Sequence, residues 1–261
     1  MKDQVIWITG ASSGIGEALV KKYDSEGLKL IISSRNKTLL DQIKEKSFHP
    51  ENLYVLPLDL SNPDSFEELC REAFSVFGKI DVLINNGGIS QRSLVAETEL
   101  SVDRKIMEVN FFGTIGLSKT ILPYFLKNNR GHFVVVSSLV GKFGSPYRSA
   151  YAASKHALHG FFDSLRAEHY KNNILVTMVC PGFIRTNVSI NALTGNGSPL
   201  NEMDDAQEKG ISAEACALEI FNAIKKKKEE VLIGGKEKYA VYLKRFFPSL
   251  FSRILRKAKV R

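Results

Sequence analysis

Tyr151 and Lys155 stand four residues apart in the stretch YAASKHALHGF. Four residues make one helical turn, so the phenol and the ammonium project from the same face. That arrangement suits proton transfer at an oxygen. A free phenol has a pKa of about 10 and exchanges its proton slowly at neutral pH. A positive charge beside it favours the phenolate and brings the group towards the working pH, where acid–base catalysis is most effective. The neighbours Ala152, Ala153, Ser154, Ala157 and Gly160 are small, which keeps this helix slim enough to approach a ligand or another helix. Such a pair also arises by chance in a chain with eight tyrosines, so its meaning depends on the elements that carry it.

Those elements alternate. The β-branched runs VIWIT (5–9), LKLIISS (28–34), NLYVLP (52–57), IDVLIN (80–85), HFVVVSS (132–138), ILVTMVC (174–180) and EVLIG (230–234) read as strands. Most are continuously apolar, as strands covered on both faces must be. Helix-length segments near 14–26, 36–46, 64–77, 101–128, 151–172 and 212–228 separate them. Strand–helix alternation predicts right-handed βαβ units and hence an α/β domain built on a doubly wound parallel sheet of seven strands. Residues 1–235 form that domain, the irregular segment 185–211 is expected to cover a site as a lid, and 236–261 is a separate tail.

The first strand runs directly into TGASSGIG, which sets Gly10, Gly14 and Gly16 at the start of the first helix. Glycines there allow a tight turn, and the helix N-terminus offers amide donors to phosphate. In a chain of βαβ units this predicts a Rossmann-type nucleotide site. The second strand ends Ser33-Ser34-Arg35-Asn36, with no acid to accept a free ribose 2′-hydroxyl. Arg35, helped by the Ser34 hydroxyl, suits a 2′-phosphate and so NADP(H), although it also reads as a solvated loop arginine. Asp59 after the third strand and Asn85-Asn86-Gly87-Gly88 after the fourth stand where such sheets bind ligands; both also fit ordinary turn chemistry.

Together TGASSGIG, Asp59, NNGG, Asn110, Ser138, the Tyr151/Lys155 pair and Pro181-Gly182 resemble the short-chain dehydrogenases/reductases over roughly residues 4 to 235. The form NNGGISQRS resembles the subgroup around dehydrogenase/reductase SDR family member 7, most of whose members are orphan carbonyl reductases and many of which carry an N-terminal hydrophobic anchor. The resemblance implies catalytic roles for Asn110, Ser138, Tyr151 and Lys155. It selects Ser138 over Ser137, which strand alternation turns to the opposite face, and gives Asn110 a water that links Lys155 to solvent. It implies cofactor contacts from Gly10, Ser12, Ser13, Gly14, Ile15, Gly16, Ser34, Arg35, Asp59, Leu60, Asn86, Gly87, Gly88, Asn110, Tyr151, Lys155, Pro181, Gly182, Ile184 and Thr186. The expected reaction is NADPH-dependent reduction of a ketone or aldehyde, reversible as alcohol oxidation, in a homodimer or homotetramer. Two other readings stand beside it: reduction of a 3-oxoacyl thioester, for which Lys127 and Arg130 would form a docking patch, and a non-catalytic NADP(H)-sensing protein.

The formal net charge of +8 points to nucleic acid until it is located. From Lys236 to Arg261 nine basic residues accompany one acid, Glu237, a local net of +8, so the rest of the chain is balanced. That pattern argues against a nucleic-acid-binding domain. In the tail Tyr239, Leu243, Phe246, Phe247, Leu250 and Ile254 recur at helical spacing between basic residues, and Pro248 is expected to split the helix. It reads either as a peripheral membrane contact or as a helix packed on the pocket mouth. The opening residues MKDQVIWITG show no basic n-region and no long apolar core, so they do not read as a signal peptide. Cys70, Cys180 and Cys216 are odd in number and lack CxxC spacing, which suggests reduced packing residues in a cytoplasmic protein. His49, His132, His156, His159 and His169 form no metal set.

Overall fold

The structure is a computed structural model that describes residues 3–258. Its strands are β1 (Val5–Thr9), β2 (Lys29–Ser33), β3 (Leu53–Val55), β4 (Val82–Asn85), β5 (Gly131–Val136), β6 (Ile174–Pro181), β7 (Ile184–Arg185), β8 (Ile211–Ser212) and β9 (Glu230–Ile233). Seven of them form one parallel sheet in the order β3-β2-β1-β4-β5-β6-β9. The chain runs outward from β1 to one edge and then from β4 to the other. A crevice therefore opens between β1 and β4 at the C-terminal ends of the strands, where sheets of this kind bind ligands.

Helices α1 (Gly14–Asp24), α2 (Lys37–Glu45), α3 (Phe66–Phe77), α4 (Leu100–Met107), α5 (Thr114–Lys127), α6 (Ser149–Glu168), α7 (Asp205–Glu208) and α8 (Ala213–Lys225) follow the strands, and α9 (Ala240–Phe246) and α10 (Pro248–Leu255) close the described chain. Alternation along each strand divides the core in two. Ile6, Ile8, Leu30 and Ile32 pack with Leu19 of α1 and Phe221 of α8. Val5, Trp7, Ile31 and Leu83 pack with Phe66 of α3, Leu117 of α5 and Phe162 of α6. Both faces are thus apolar and covered, which explains the unbroken hydrophobic runs. Local chemistry sets the ends: Asn36 caps α2 by accepting from the Leu39 amide at 3.1 Å, and α3 stops at Gly78 with φ +72°.

Three expectations change. The helix anticipated over 101–128 is interrupted by a π-helical segment, Glu108–Gly113. The lid is less irregular than its composition suggests: β7 pairs with β8, and Leu193 bridges to Gln91. Gly160 does not serve an internal contact, since a side chain there would meet nothing within 4 Å. In the tail, Pro248 begins α10 and divides it from α9. Phe251 packs on Leu139, Phe143 and Cys180, with the Phe143 ring at 5.1 Å. Glu237, the tail's lone acid, accepts from the Gly235 amide at 3.0 Å and the Phe183 amide at 3.3 Å, which ties the tail to the turn after β6.

Candidate active site

The turn between β1 and α1 is built by glycine. Gly10 and Gly14 have φ of +65° and +56°, a region that side chains disfavour. At Gly16 a Cβ would lie 2.1 Å from the Gly10 carbonyl oxygen, so helix and turn touch. Thr9 and Asn86 fasten this turn to the loop after β4. The Thr9 hydroxyl accepts from the Asn86 and Gly87 amides at 3.0 Å each, and the Asn86 side chain donates to the Thr9 and Gly10 carbonyls at 3.0 and 3.1 Å. The Asn86 amide group is thereby committed to bracing the cradle. Ser13 caps α1 without a side-chain bond, so its hydroxyl does not take up the first amides of the helix. A bare helix start behind a glycine cradle fits a dinucleotide pyrophosphate. Gly14 faces Thr186 at 3.1 Å from a notional Cβ, which brings the start of the lid over the cradle.

Arg35 is exposed just beyond β2. Its charge reaches Asp59, whose carboxyl is held below the usual range mainly by bonds from the Ser61 hydroxyl at 2.7 Å and amide at 2.9 Å, with a smaller share from Arg35. Ser34 accepts from the Asn36 amide at 3.2 Å. Leu60 packs beneath the cradle, 2.8 Å from a notional Cβ at Gly87.

On the other wall, Ser138, Tyr151, Lys155 and Asn110 converge. Ser138, just past β5, donates to the Pro181 carbonyl and accepts from the Val140 amide, each at 3.3 Å, and its hydroxyl lies near enough to the Tyr151 phenol to lower its proton affinity. Ser137 turns the other way and donates to the Lys155 carbonyl at 3.2 Å, with its hydroxyl 3.1 Å from His159 Nε2. The Lys155 ammonium lies 5.7 Å from the Tyr151 ring centre and donates to the Val136 carbonyl at 2.8 Å. A Cβ at Gly88 would stand 3.0 Å from Asn110 Oδ1 and 3.6 Å from Lys155 Nζ. Asn110 sits in the π-helical segment, fully buried. Its oxygen accepts from the Ile89 amide at 2.8 Å, and its nitrogen donates to the Ile89 carbonyl at 2.9 Å and the Ser154 hydroxyl at 3.1 Å. Those bonds fix the NNGG loop against α6. Pro181 ends β6, and Gly182 follows, its amide donating to the Ile233 carbonyl at 2.8 Å. Ile184 is buried in the core beside Ile15.

The electrostatics differ from the simple expectation. Burial holds Tyr151 above its ordinary value; the nearby Ser138 hydroxyl and then the charges of Arg92 and Arg148 work against that. Lys155 is itself pushed down to about 8 by burial. The cause is common to both: the pocket withdraws water from the charged form of each group. Tyr151 is therefore a neutral phenol at neutral pH.

Sequence reasoning missed Gln91, Arg92, Arg148 and Asp204. Gln91 Oε1 accepts from the Ala150 amide at 2.9 Å, and its nitrogen donates to Ser93 and Thr98 at 3.1 and 3.0 Å, so it holds the first turn of α6. Arg92 reaches Asp204 Oδ2 at 2.6 Å and Arg148 reaches the same atom at 3.0 Å, with all three residues buried. The only signal was the QR of NNGGISQRS, and its partner lies 112 residues downstream.

The chain matches a family model described as short chain dehydrogenase over residues 4–196. It is 40% identical over 261 residues to dehydrogenase/reductase SDR family member 7B of Mus musculus, covering 98% of this chain and 81% of the relative. Its fold is similar to a short chain dehydrogenase/reductase from Burkholderia phymatum in complex with NAD, with TM-score 0.83 and 22% identity over 95% of each chain. It is also similar in fold to an alcohol dehydrogenase from Thermococcus sibiricus complexed with 5-hydroxy-NADP, with TM-score 0.76 and 24% identity over 90% of this chain and 97% of the other.

Proposed function

This chain belongs to the short-chain dehydrogenases, oxidoreductases that use a nicotinamide cofactor, and from that premise we propose that it reduces a ketone or aldehyde with NADPH, using Tyr151 as the general acid. The observation that carries the reading is the convergence of Ser138, Tyr151 and Lys155, with the Lys155 ammonium 5.7 Å from the Tyr151 ring centre and 3.6 Å from a notional Cβ at Gly88 in the loop after β4. When bound, the cofactor supplies the hydride that the carbonyl carbon accepts. The carbonyl oxygen accepts the Tyr151 proton and a hydrogen bond from the Ser138 hydroxyl as negative charge develops on it. Lys155, with its pKa near neutrality at about 8, returns a proton to Tyr151 and holds the nicotinamide ribose. A water at Asn110 completing that route would be held by the backbone, because the side chain is already bonded to Ile89 and Ser154. Burial keeps Tyr151 protonated, the form from which it can act as the acid in reduction.

The absence of an acid at the tip of β2 and the presence of Arg35 support NADPH over NADH. The remaining cofactor contacts are proposed for Gly10 to Gly16, Asp59, Leu60, Gly87, Gly88 and the segment Pro181–Thr186. Buried free thiols at Cys70, Cys180 and Cys216, each pushed up to about 12 by burial, support a cytoplasmic setting. The exposed face of α6 around Ala153, His156 and Gly160, with the half-exposed Phe112 beside it, supports a homodimer joined through that helix. No described helix is long and apolar enough to cross a membrane. Yet Tyr239, Tyr242, Phe246, Phe247, Leu250 and Ile254 are exposed among basic residues, which supports peripheral contact with anionic lipid. The intact protein should co-sediment with phosphatidylserine vesicles at low salt and be released at high salt; failure to sediment at low salt would remove that contact.

The activity test is NADPH oxidation across steroid ketones, retinal, simple aldehydes, diketones, quinones and an acetoacetyl thioester, repeated with NADH. Turnover of one class with NADPH preferred supports the reading. Turnover of the thioester alone would favour the acyl-thioester reductase instead, and silence with tight NADPH binding would favour the sensor.

A further inference from the structure

The basic tail reaches the site through its one acid. Glu237 lies in the short helical turn Lys236–Tyr239, just after β9, and is half-buried. Its Oε1 accepts from the Gly235 amide at 3.0 Å and from the Phe183 amide at 3.3 Å. The backbone around it leaves room for the carboxylate and little else. A Cβ at Gly182 or at Gly234 would stand 2.5 Å from Oε1, and one at Gly235 would stand 2.9 Å from Oε2. Gly234 also holds a φ of +146°, which side chains disfavour. A carboxylate enclosed by three glycine backbones and accepting two amide bonds is a built contact, because bonds to a charged acceptor are about twice as strong as neutral ones.

What Glu237 grips is the segment that follows β6. Phe183 gives its amide to the tail and its carbonyl to the lid, where it accepts from the Ile211 amide at 3.2 Å. Its neighbour Gly182 borders the turn after Ser138, since a Cβ there would lie 2.9 Å from Leu139 Cδ1. Three residues past Phe183, Thr186 stands over Gly14 of the cradle. Phe251 seats the rest of the tail on Leu139 and Phe143. Tail and lid are therefore joined at Phe183, within the segment assigned to the cofactor. We propose that Glu237 is a positioning residue for that cofactor: by holding the Phe183 amide, it fixes Gly182–Thr186 in the place over the cradle where the pyrophosphate and nicotinamide of NADPH are held. The adenosine end, assigned to Arg35 beyond β2, does not depend on Glu237.

The inference rests on Thr186 and its neighbours contacting the cofactor, as proposed above, so its test separates the two ends of the ligand. Calorimetry measures the affinity of the full-length protein for NADPH and for adenosine 2′,5′-bisphosphate, which lacks the pyrophosphate link and the nicotinamide. Glu237→Leu removes the acceptor at similar size and should weaken NADPH about tenfold while leaving the bisphosphate within about twofold. Glu237→Gln keeps an oxygen for the two amides and should recover most of the NADPH affinity. Should the leucine variant not fold, Glu237→Asp, one methylene short of the cradle, should show the same selective loss. A role in tail anchoring alone predicts a lower melting temperature with both affinities unchanged, and a general loosening predicts equal loss of both ligands. Either result overturns the proposal. So does a Glu237→Gln variant as weak as Glu237→Leu, which would assign the effect to charge. Thr186→Ala tests the premise. NADPH binding at the parent affinity in that variant would remove the segment from the cofactor and the proposal with it. Weakened binding there, beside an unchanged Glu237→Leu, would overturn the assignment of Glu237 alone.

Discussion

Gly16→Ala puts the geometry of the cofactor cradle to a quantitative test. The added methyl would lie 2.1 Å from the Gly10 carbonyl oxygen, 2.8 Å from the Gly10 carbonyl carbon and 2.7 Å from Asn86 Nδ2. An ordinary carbon–oxygen contact is about 3.5 Å, so the overlap exceeds roughly 1 Å and backbone must move. Overpacking of this kind costs about 1–3 kcal/mol. In a chain of this size that lowers the melting temperature by about 2–10 °C. The larger loss should be in binding. The carbonyl that must move is the one Asn86 holds at 3.1 Å, and it defines the wall on which the pyrophosphate would lie. NADPH affinity, read by quenching of Trp7 or by calorimetry, should fall at least about tenfold, or 1.4 kcal/mol. Gly78→Ala is the control. It carries φ +72° with nothing within 4 Å, so it should cost about 1 kcal/mol in stability and leave NADPH binding alone. Equal NADPH affinity in parent and Gly16→Ala would refute the cradle argument, since no side chain there could escape the turn.

Other consequences are equally direct. Arg35→Ala should cut kcat/KM for NADPH about 10–100-fold, the worth of a charge-assisted phosphate contact, with NADH turnover changed little; an equal fall for both cofactors would remove Arg35 from the 2′-phosphate. His132 is buried against Thr177 and pushed down to about 4 by burial, and His159 is likewise held at about 4. The unfolded chain protonates these rings first, near 6.5, so their stability contribution is complete above that pH and is lost as pH falls towards 4. His132 alone accounts for up to about 3 kcal/mol of this loss, which urea unfolding at pH 7 and pH 5 can follow against His132→Gln. Gly160→Arg should split the proposed dimer in sedimentation velocity at micromolar concentration, and an unchanged coefficient would move the interface off α6.

The sheet was legible because both of its faces are covered, so β1, β4 and β6 appear as unbroken apolar runs whose ends fall within about two residues of those expected. The glycine turn and the Tyr151/Lys155 face were legible because each depends on neighbours in sequence. The interruption in the helix over 101–128 was not. Its apolar periodicity runs on through Glu108–Gly113, and the cause is tertiary: a Cβ at Gly113 would meet the Leu60 carbonyl oxygen at 2.2 Å, and Asn110 must reach Ile89. The lid hid its order for a related reason. Leu193 is held by backbone bonds to Ser90 and Arg92, at 2.9 and 2.8 Å, which no composition rule reveals. The buried charges were hidden most completely, since a lone Arg92, Arg148 or Asp204 reads as a surface residue until the fold brings the three together.

One comparison tests the central claim most directly: single-turnover NADPH oxidation by the parent enzyme and by Tyr151→Phe, with the best carbonyl substrate and with NADPH affinity measured in parallel. Removing the hydroxyl should leave NADPH binding within about twofold and slow hydride transfer by at least 10²-fold, the usual worth of a positioned general acid. A Tyr151→Phe enzyme that binds NADPH normally and turns over at the parent rate would contradict the account, because its chemistry would then require another proton donor.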